Sequence, residues 1–558
     1  MQPRVPLVNR TEIDGIPTFW VDGPRPFTAT LYFRVGQFDE TIPQRGITHL
    51  IEHLALFPAQ DTEINHNGEV GTHLTTFWAQ GHPDEVGAYL RTVATSLHDL
   101  PMGRLDVEAD ILRREDAEEG RSSVNSLLWA YYGPFGPGTG SFPERGLSWL
   151  RPPDLEEWAR LYFTRQNAAL VVLGKPPETF RLELPDGEAM PYSTPDFARP
   201  PPENPTLYTH TNDGITWTAA FRHRLGEVEP EFYVALDVLV RRLRNRLRHD
   251  LGQVYWIHSG SMRLDADLRA AWLTFPCDPE ASQLVTSDYL DVVGRFLEAG
   301  PTQEELDRFH RTMSKSYEDR PLEFAATNAH HEAESHLAGW GPFPTFEEWL
   351  GVAASLTGED VRARFVEAYR QSFTIADTPA AQLAPFMYGM LTGDGPGPGV
   401  QFESKWRYRR DQARQIRIGP AGLFLQYPGF WQWVPYENIA MIAIEGSTIW
   451  IEALAGALEL DTGRYVRSRS PWRTRLPKRD VAVGFFLVTI VLTLLSPALW
   501  LPLLGGAVAA LSILRRDSDP EEMTDRNSTM GDLMRRYSPE GVILPPPRSY
   551  ASVDNLVG

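Results

Sequence analysis

The stretch that most narrows what this chain can become is residues 46–57, which carries His49-Leu50-Ile51-Glu52-His53 between apolar neighbours. With no Gly or Pro after Gly46, the spacing predicts a helix. At about 100° per residue, His49 and His53 lie about 40° apart on one face, with Glu52 on the same side. Two imidazoles four residues apart can share one metal ion, and the carboxylate beside them can hold a water molecule there. Zinc suits this set, because it takes neutral imidazole and carboxylate ligands and keeps a position open for water. Two solvated histidines on an amphipathic helix are the other reading of these five residues taken alone.

The neighbouring segments supply a setting for that helix. Residues 16–21 and 28–35 read as strands around a turn at Asp22-Gly23-Pro24. Asn67-Gly68 is a turn signal, and a strand is expected over 69–78. Residues 84–99 and 103–120 read as helices. In the second of these, Glu108 and Glu115 are seven positions apart, about 20° around the axis. Carboxylates on one stripe could supply a third metal ligand and a backing charge. Glu118 and Glu119 share that face and are reserve candidates.

Several ordered pieces together resemble the pitrilysin/insulinase family of zinc metallopeptidases, which includes mitochondrial processing peptidase. They are Val35-Gly36 with Asp39-Glu40, then Gly46 and the His49-x-x-Glu52-His53 order, then Glu108 with Glu115. That histidine order marks the inverzincins. Leu155-Glu156-Glu157-Trp158, Tyr162 and residues 167–174 follow as the family's closing helix and strand do. The resemblance covers residues 7–185. It implies His49, His53 and Glu115 as zinc ligands, Glu52 as general base and Glu108 as a carboxylate behind the ligands. Two departures stand out. From His53 to Glu115 is 115 − 53 = 62 residues, shorter than usual in the family, and Gly71-Thr72 stands where relatives carry Asn-Ala.

Residues 205–385 read as a second copy of the plan whose helix, 230–251, lacks the histidine–glutamate set. Arg248 and Tyr255 resemble the family's Arg and Tyr of the non-catalytic half, which implies that they reach the substrate near the zinc; Tyr255 could instead be a core aromatic. His330-His331-Glu332-Ala333-Glu334-Ser335-His336 looks metal-rich, but His331 and His336 lie about 140° apart on a helix and cannot easily share an ion. The glycine-rich 133–140 lacks the Lys-Ser/Thr of a phosphate loop.

Beyond a Gly/Pro linker, residues 402–469 read as short strands resembling a pleckstrin-homology-like barrel or a generic sandwich. Residues 481–514 contain no charge over 34 positions and are split by Pro497, with Arg473, Arg475, Lys478 and Arg479 before them and Arg515-Arg516 after. That pattern predicts a transmembrane hairpin with both ends cytosolic. No apolar signal peptide opens the chain. The single Cys277 rules out an internal disulfide framework, and a net charge of −20 argues against nucleic acid.

The expected fold class is therefore α+β: two tandem homologous pitrilysin-type αβ domains forming a clam-like chamber, then a small β domain and a membrane hairpin. The boundaries expected are 1–195, 196–390, a linker at 391–400, 401–470, 481–514, and a largely disordered polar tail at 515–558. The function expected is a membrane-tethered zinc endopeptidase of short or unfolded peptides, on the cytosolic side of the cell membrane. The alternative is an inactive scaffold or binding subunit of the same fold. A homodimer or a partner subunit would be compatible with either.

Overall fold

A computed structural model describes residues 7–23, 26–118, 128, 131–132, 136–192, 194, 206–208, 215–222, 228–278, 280–341, 344–376, 399–404, 415–427, 430–436, 439–445, 448–453, 456–461, 465–467 and 533–534. Met1–Phe386 and Met387–Pro546 fall into separate units. The first unit opens with β1 (Asn9–Ile13), β2 (Ile16–Val21), β3 (Phe27–Phe33) and α1 (Ile47–Leu56). There follow β4 (Asn65–Val70), β5 (Thr75–Gly81), α2 (Pro83–His98), α3 (Leu105–Glu118), α4 (Pro152–Tyr162) and β6 (Ala168–Leu173).

These strands form one mixed sheet in the order β1-β2-β6-β3-β5-β4. The turn after β2 does not make a hairpin, because β6 inserts between β2 and β3, parallel to one and antiparallel to the other. The single strand expected over 69–78 is two strands. The chain folds back at 71–74, and Asn67-Gly68 lies in mid-strand on β4.

Alternation along the strands feeds two cores. Ala168, Leu170 and Val172 of β6 pack with Leu50, Ile51 and Leu54 of α1 and with Leu90 of α2. Ala169 and Val171 face the other way, with Phe19 and Val21. A strand buried on both faces reads as a continuous apolar run, as β6 does.

The second half holds β7 (Thr206–Tyr208), β8 (Ile215–Arg222), α5 (Glu231–Leu243), β9 (His258–Arg263) and β10 (Leu268–Phe275). Then come α6 (Ser282–Ala299), α7 (Gln303–Asp319), α8 (Pro321–Ala338), α9 (Phe346–Ser355), α10 (Gly358–Arg370) and β11 (Ser372–Ala376). Its sheet runs β7-β11-β8-β10-β9. This is the order β2-β6-β3-β5-β4 again, parallel first pair included. The helix after β8 occupies the topological place of α1, so the repeat expected from sequence is present in the strand order.

The halves meet through α8. Ala325, Ala329 and Ala333, each four residues apart, lie with Leu337 against Phe19, Val21, Ala169 and Val171. Small side chains on one stripe let the helix approach the sheet closely. Polar ties flank this seam: the Tyr32 hydroxyl meets His330 Nδ1 at 2.5 Å, and His73 Nε2 meets Glu334 at 2.9 Å.

The second unit is β-rich. β12 (Val400–Ser404), β13 (Gln415–Gly419), β14 (Gly422–Tyr427) and β15 (Phe430–Pro435) are followed by β16 (Ile439–Glu445), β17 (Thr448–Ala453), β18 (Gly456–Asp461) and β19 (Tyr465–Arg467). They make two antiparallel sheets, β15-β14-β13-β12-β19 and β16-β17-β18. The finer pleckstrin-homology-like expectation rests on the sequence alone. Leu533 and Met534 are helical and fully buried in this unit's core, so those two residues of the tail expected to be disordered are folded. Among the described residues no helix is long and apolar enough to cross a membrane, and the expected hairpin at 481–514 lies outside them.

Candidate metal centre

The centre is built on how α1 begins. Gly46 has φ +94°, a left-handed conformation that glycine adopts without strain, and a Cβ there would come within 2.9 Å of Glu144 Cβ. Glycine supplies no capping side chain, so a remote carboxylate caps the helix instead. Buried Glu40 accepts from the backbone N–H groups of Gly46 (3.1 Å) and Thr48 (3.0 Å) and pairs with Arg45 at 2.7 Å. Trp158 Nε1 donates to Thr48 Oγ1 at 3.2 Å, fixing the helix from α4. With Ile47, Leu50, Ile51 and Leu54 in the core, His49, Glu52 and His53 share the remaining stripe.

Each imidazole is held by a different carboxylate. His49 Nδ1 lies 3.1 Å from Glu144 Oε1, and His53 Nδ1 lies 3.3 Å from Glu108 Oε2. Against ionised carboxylates the Nδ1 atoms are the donors, which leaves each Nε2 lone pair free in the neutral ring. Glu108 is itself fixed, accepting from Arg104 Nη2 at 2.8 Å on its other oxygen. Glu144 sits just before a short 3₁₀ turn at Arg145–Ser148, and its backbone N–H donates to Asp116 of α3 at 3.3 Å.

The free nitrogens converge. His53 Nε2 is 3.9 Å from Glu115 Oε2, and one ligand atom from each of His49, His53 and Glu115 lies within 4.8 Å of the others. This is the one three-ligand group among the described residues. Glu52 stands beside it, 3.8 Å from His49 Nε2 and 4.0 Å from His53 Nε2. Gly68 of β4 makes room for that carboxylate, since a Cβ there would fall 2.2 Å from Glu52 Oε1.

Burial raises the Glu52 pKa to about 7; the negative Glu115, Glu144 and Glu69 add to the rise and His49 opposes it. Burial alone would lower His49, but the hydrogen bond and charge of Glu144, with Glu52 and Glu115, hold it up at about 9. His53 is lowered, by burial first and by His49 next. Four carboxylates around two imidazoles are a donor set that could hold a cation, and Nδ1-anchored histidines are the usual setting of zinc ligands. The donor set therefore fits zinc.

The other sequence candidates are placed differently. Arg248, in the π-helical turn Arg244–Asp250, lies over the Tyr255 ring at 5.2 Å. Tyr255 is 77% exposed and is not a core aromatic. No contact of this pair with the α1 cluster is found among the described residues. Glu118 ends α3, and Glu119 lies outside the described residues. His330 meets Tyr32 while His336 packs on Phe19, so those two histidines face different surroundings. Glu144 was not singled out by sequence. It lies 91 residues beyond His53 (144 − 53) in a loop with no periodicity, and no spacing points to it.

No protein-family model and no curated protein matches this chain. Solved structures share its fold. An M16 peptidase inactive domain from Pseudomonas fluorescens aligns with a TM-score of 0.55 at 16% identity, over 67% of this chain and 99% of its own. A protease from Helicobacter pylori aligns at 0.54 and 15%, over 67% of this chain and 100% of its own. A putative M16-like peptidase from Alicyclobacillus acidocaldarius gives 0.52 and 15%, over 67% and 99%. At these identities the likeness establishes the fold, the mixed α/β fold of M16 (pitrilysin-like) peptidase domains, active and inactive alike.

Proposed function

We propose that this chain is a zinc-dependent endopeptidase acting on short or unfolded peptides. The observation that carries the reading is the convergence of His49, His53 and Glu115, both imidazoles anchored at Nδ1, beside a buried carboxylate with a pKa of about 7. Zinc held by those three residues would supply Lewis acidity, polarising a carbonyl and bringing the pKa of water toward about 7.

The protein's own groups do the rest. Glu52, with a pKa near the working pH, accepts the proton of the attacking water and passes it to the leaving amine nitrogen. Glu108 and Glu144 keep the imidazoles aligned. The substrate adds as a strand to β4, the open edge of the first sheet. Gly68, in the middle of that edge, lies against Glu52, so a peptide bound there would run past the base. Arg248 and Tyr255 are assigned, on the family resemblance, to the oxyanion that forms at the scissile carbonyl. The two halves would close over the peptide as a chamber that excludes folded proteins. The tether at 481–514 belongs to the same proposal and would set the chamber at the cytosolic face of a membrane. Protease protection of terminal tags in sealed vesicles tests that part separately.

An inactive scaffold is the second reading, favoured by the fold's occurrence in an inactive M16 domain. Metal analysis of alanine variants at 108, 115, 118 and 119 tests the ligand set. Glu115→Ala should strip zinc from the full chain. Zinc loss with Glu118→Ala or Glu119→Ala, and retention with Glu115→Ala, would contradict the assignment.

A further inference from the structure

The second half holds a partly open cavity of about 770 Å³ lined from β8–β10 and from helices α5 and α7–α10. That is within the range of about 300–1,000 Å³ typical of small-ligand sites. None of its lining residues belongs to the His49 centre. Its walls are aromatic. Phe324 packs on Phe346 at 4.3 Å, Phe346 stacks on Trp349 at 5.5 Å, and Tyr233 meets Trp349 edge-on at 6.2 Å.

Three arginines break this apolar lining, and Arg364 is paired with Glu229, which leaves Arg263 and Arg269. Arg263 and Arg269 are register partners on β9 and β10, so they stand side by side on one face of the sheet. Like charges directly opposite on paired strands are destabilising. Neither forms an ion pair within 4 Å among the described residues. Arg263 donates to the carbonyls of Ala266 (2.8 Å) and Trp340 (3.2 Å) and lies over the Trp340 ring at 4.6 Å. Arg269 Nη1 donates to the Tyr233 hydroxyl at 2.8 Å.

Two carboxylates, Glu229 and Glu348, also line the cavity, and these and the nearby ones are engaged elsewhere. Glu229 holds Arg364 at 3.3 Å, and Glu348 caps α9 through Thr345 at 2.8 Å. Glu334 and Asp265 act on Arg263 at longer range but accept from His73 and from the Thr194 backbone. His331 also lines the cavity, and burial, the largest influence on it, lowers its pKa, so it adds no full charge near neutral pH. Burial first and Arg269 second bring the Arg263 pKa down to about 10, as expected for a guanidinium without a close counter-ion.

We propose that this cavity binds a carboxylate carried on an aromatic body, with the carboxylate at Arg263 and Arg269 and the ring among the aromatic side chains. Paired guanidinium groups suit a carboxylate because their N–H groups form directed, charge-assisted bonds to both oxygens. The same chemistry is offered by a free aromatic acid and by the C-terminal residue of a peptide.

Tryptophan fluorescence titration of the full chain tests this, since Trp340 and Trp349 line the cavity. The probes are hydrocinnamate and acetyl-alanyl-phenylalanine, each beside its uncharged amide. Either acid should saturate the signal while its amide does not; which one binds distinguishes the two sources. Arg269→Gln should weaken binding about tenfold or more, and Arg269→Lys should weaken it less. No saturation by either acid up to about 10 mM, well beyond a typical weak Kd, would overturn the proposal. So would equal binding of acid and amide, a comparison that needs no variant.

Discussion

Glu144 is the residue of the centre to which the sequence did not point. Its carboxylate fixes the His49 tautomer and raises that ring's pKa. Glu144→Ala should lower zinc affinity about 10–100-fold with the fold retained, as loss of an anchor behind a metal ligand does. Competition with a chromogenic chelator measures it, and an unchanged affinity would remove Glu144 from the centre. A pH dependence follows from the same pair. Without metal, His49 is protonated below about pH 9, so zinc must displace a proton there. Affinity should rise with pH from about 6 toward 9, by up to about tenfold per unit, and a flat profile would contradict the assigned proton. His49, Glu52 and His53 were legible because helical spacing puts them on one face, whereas spacing left Glu115 one of several carboxylates on its stripe and the family resemblance singled it out. Glu144 was not legible, because a loop residue's position is fixed by the tertiary fold alone.

At the scale of elements, β4 is where the sequence reading and the structure differ most usefully. Asn67-Gly68 carries a turn signature, yet the glycine sits in mid-strand because Glu52 fills the space a side chain would take. Turn statistics see the dipeptide and not the carboxylate across from it. Gly68→Ala should therefore disturb Glu52 before it disturbs the sheet. The expected outcome is a fall in kcat with zinc content unchanged, measured by peptide turnover and metal analysis; normal turnover would contradict the role given to Gly68. The α8 stripe is a second element with a defined consequence. Ala329 is fully buried between α8 and the first sheet, and Ala329→Leu should destabilise the unit by about 1–3 kcal/mol through overpacking, read from urea unfolding. The repeated αβ plan was legible from strand patterning. The seam was not, because four-residue alanine spacing on a helix does not say which sheet face it will meet.

For the first unit taken whole, the two halves share a buried seam, and this makes separation costly. A chain ending near 195 would expose Phe19, Val21 and Val171, so it should aggregate and fail to cleave peptides. Acid should weaken the same seam. Burial, the largest influence, lowers His330 to about 4, with His331 adding to it, while an unfolded histidine titrates near 6.5. The unfolded chain then binds the extra proton, so stability is lost as pH falls from about 6.5 to 4, at up to about 1.4 kcal/mol per unit. His330→Asn should flatten that part of the profile, and an unchanged slope would exclude His330 as its source.

The central claim is that a zinc site assembled from His49, His53 and Glu115 works through Glu52. The most direct test is turnover of an unstructured peptide by the full-length protein and by Glu52→Gln, with zinc content determined on the same samples. Equal zinc in both, with turnover present in the first and reduced at least about 100-fold in the second, is the predicted result. Zinc-loaded wild type without turnover, or turnover that survives Glu52→Gln, would contradict it.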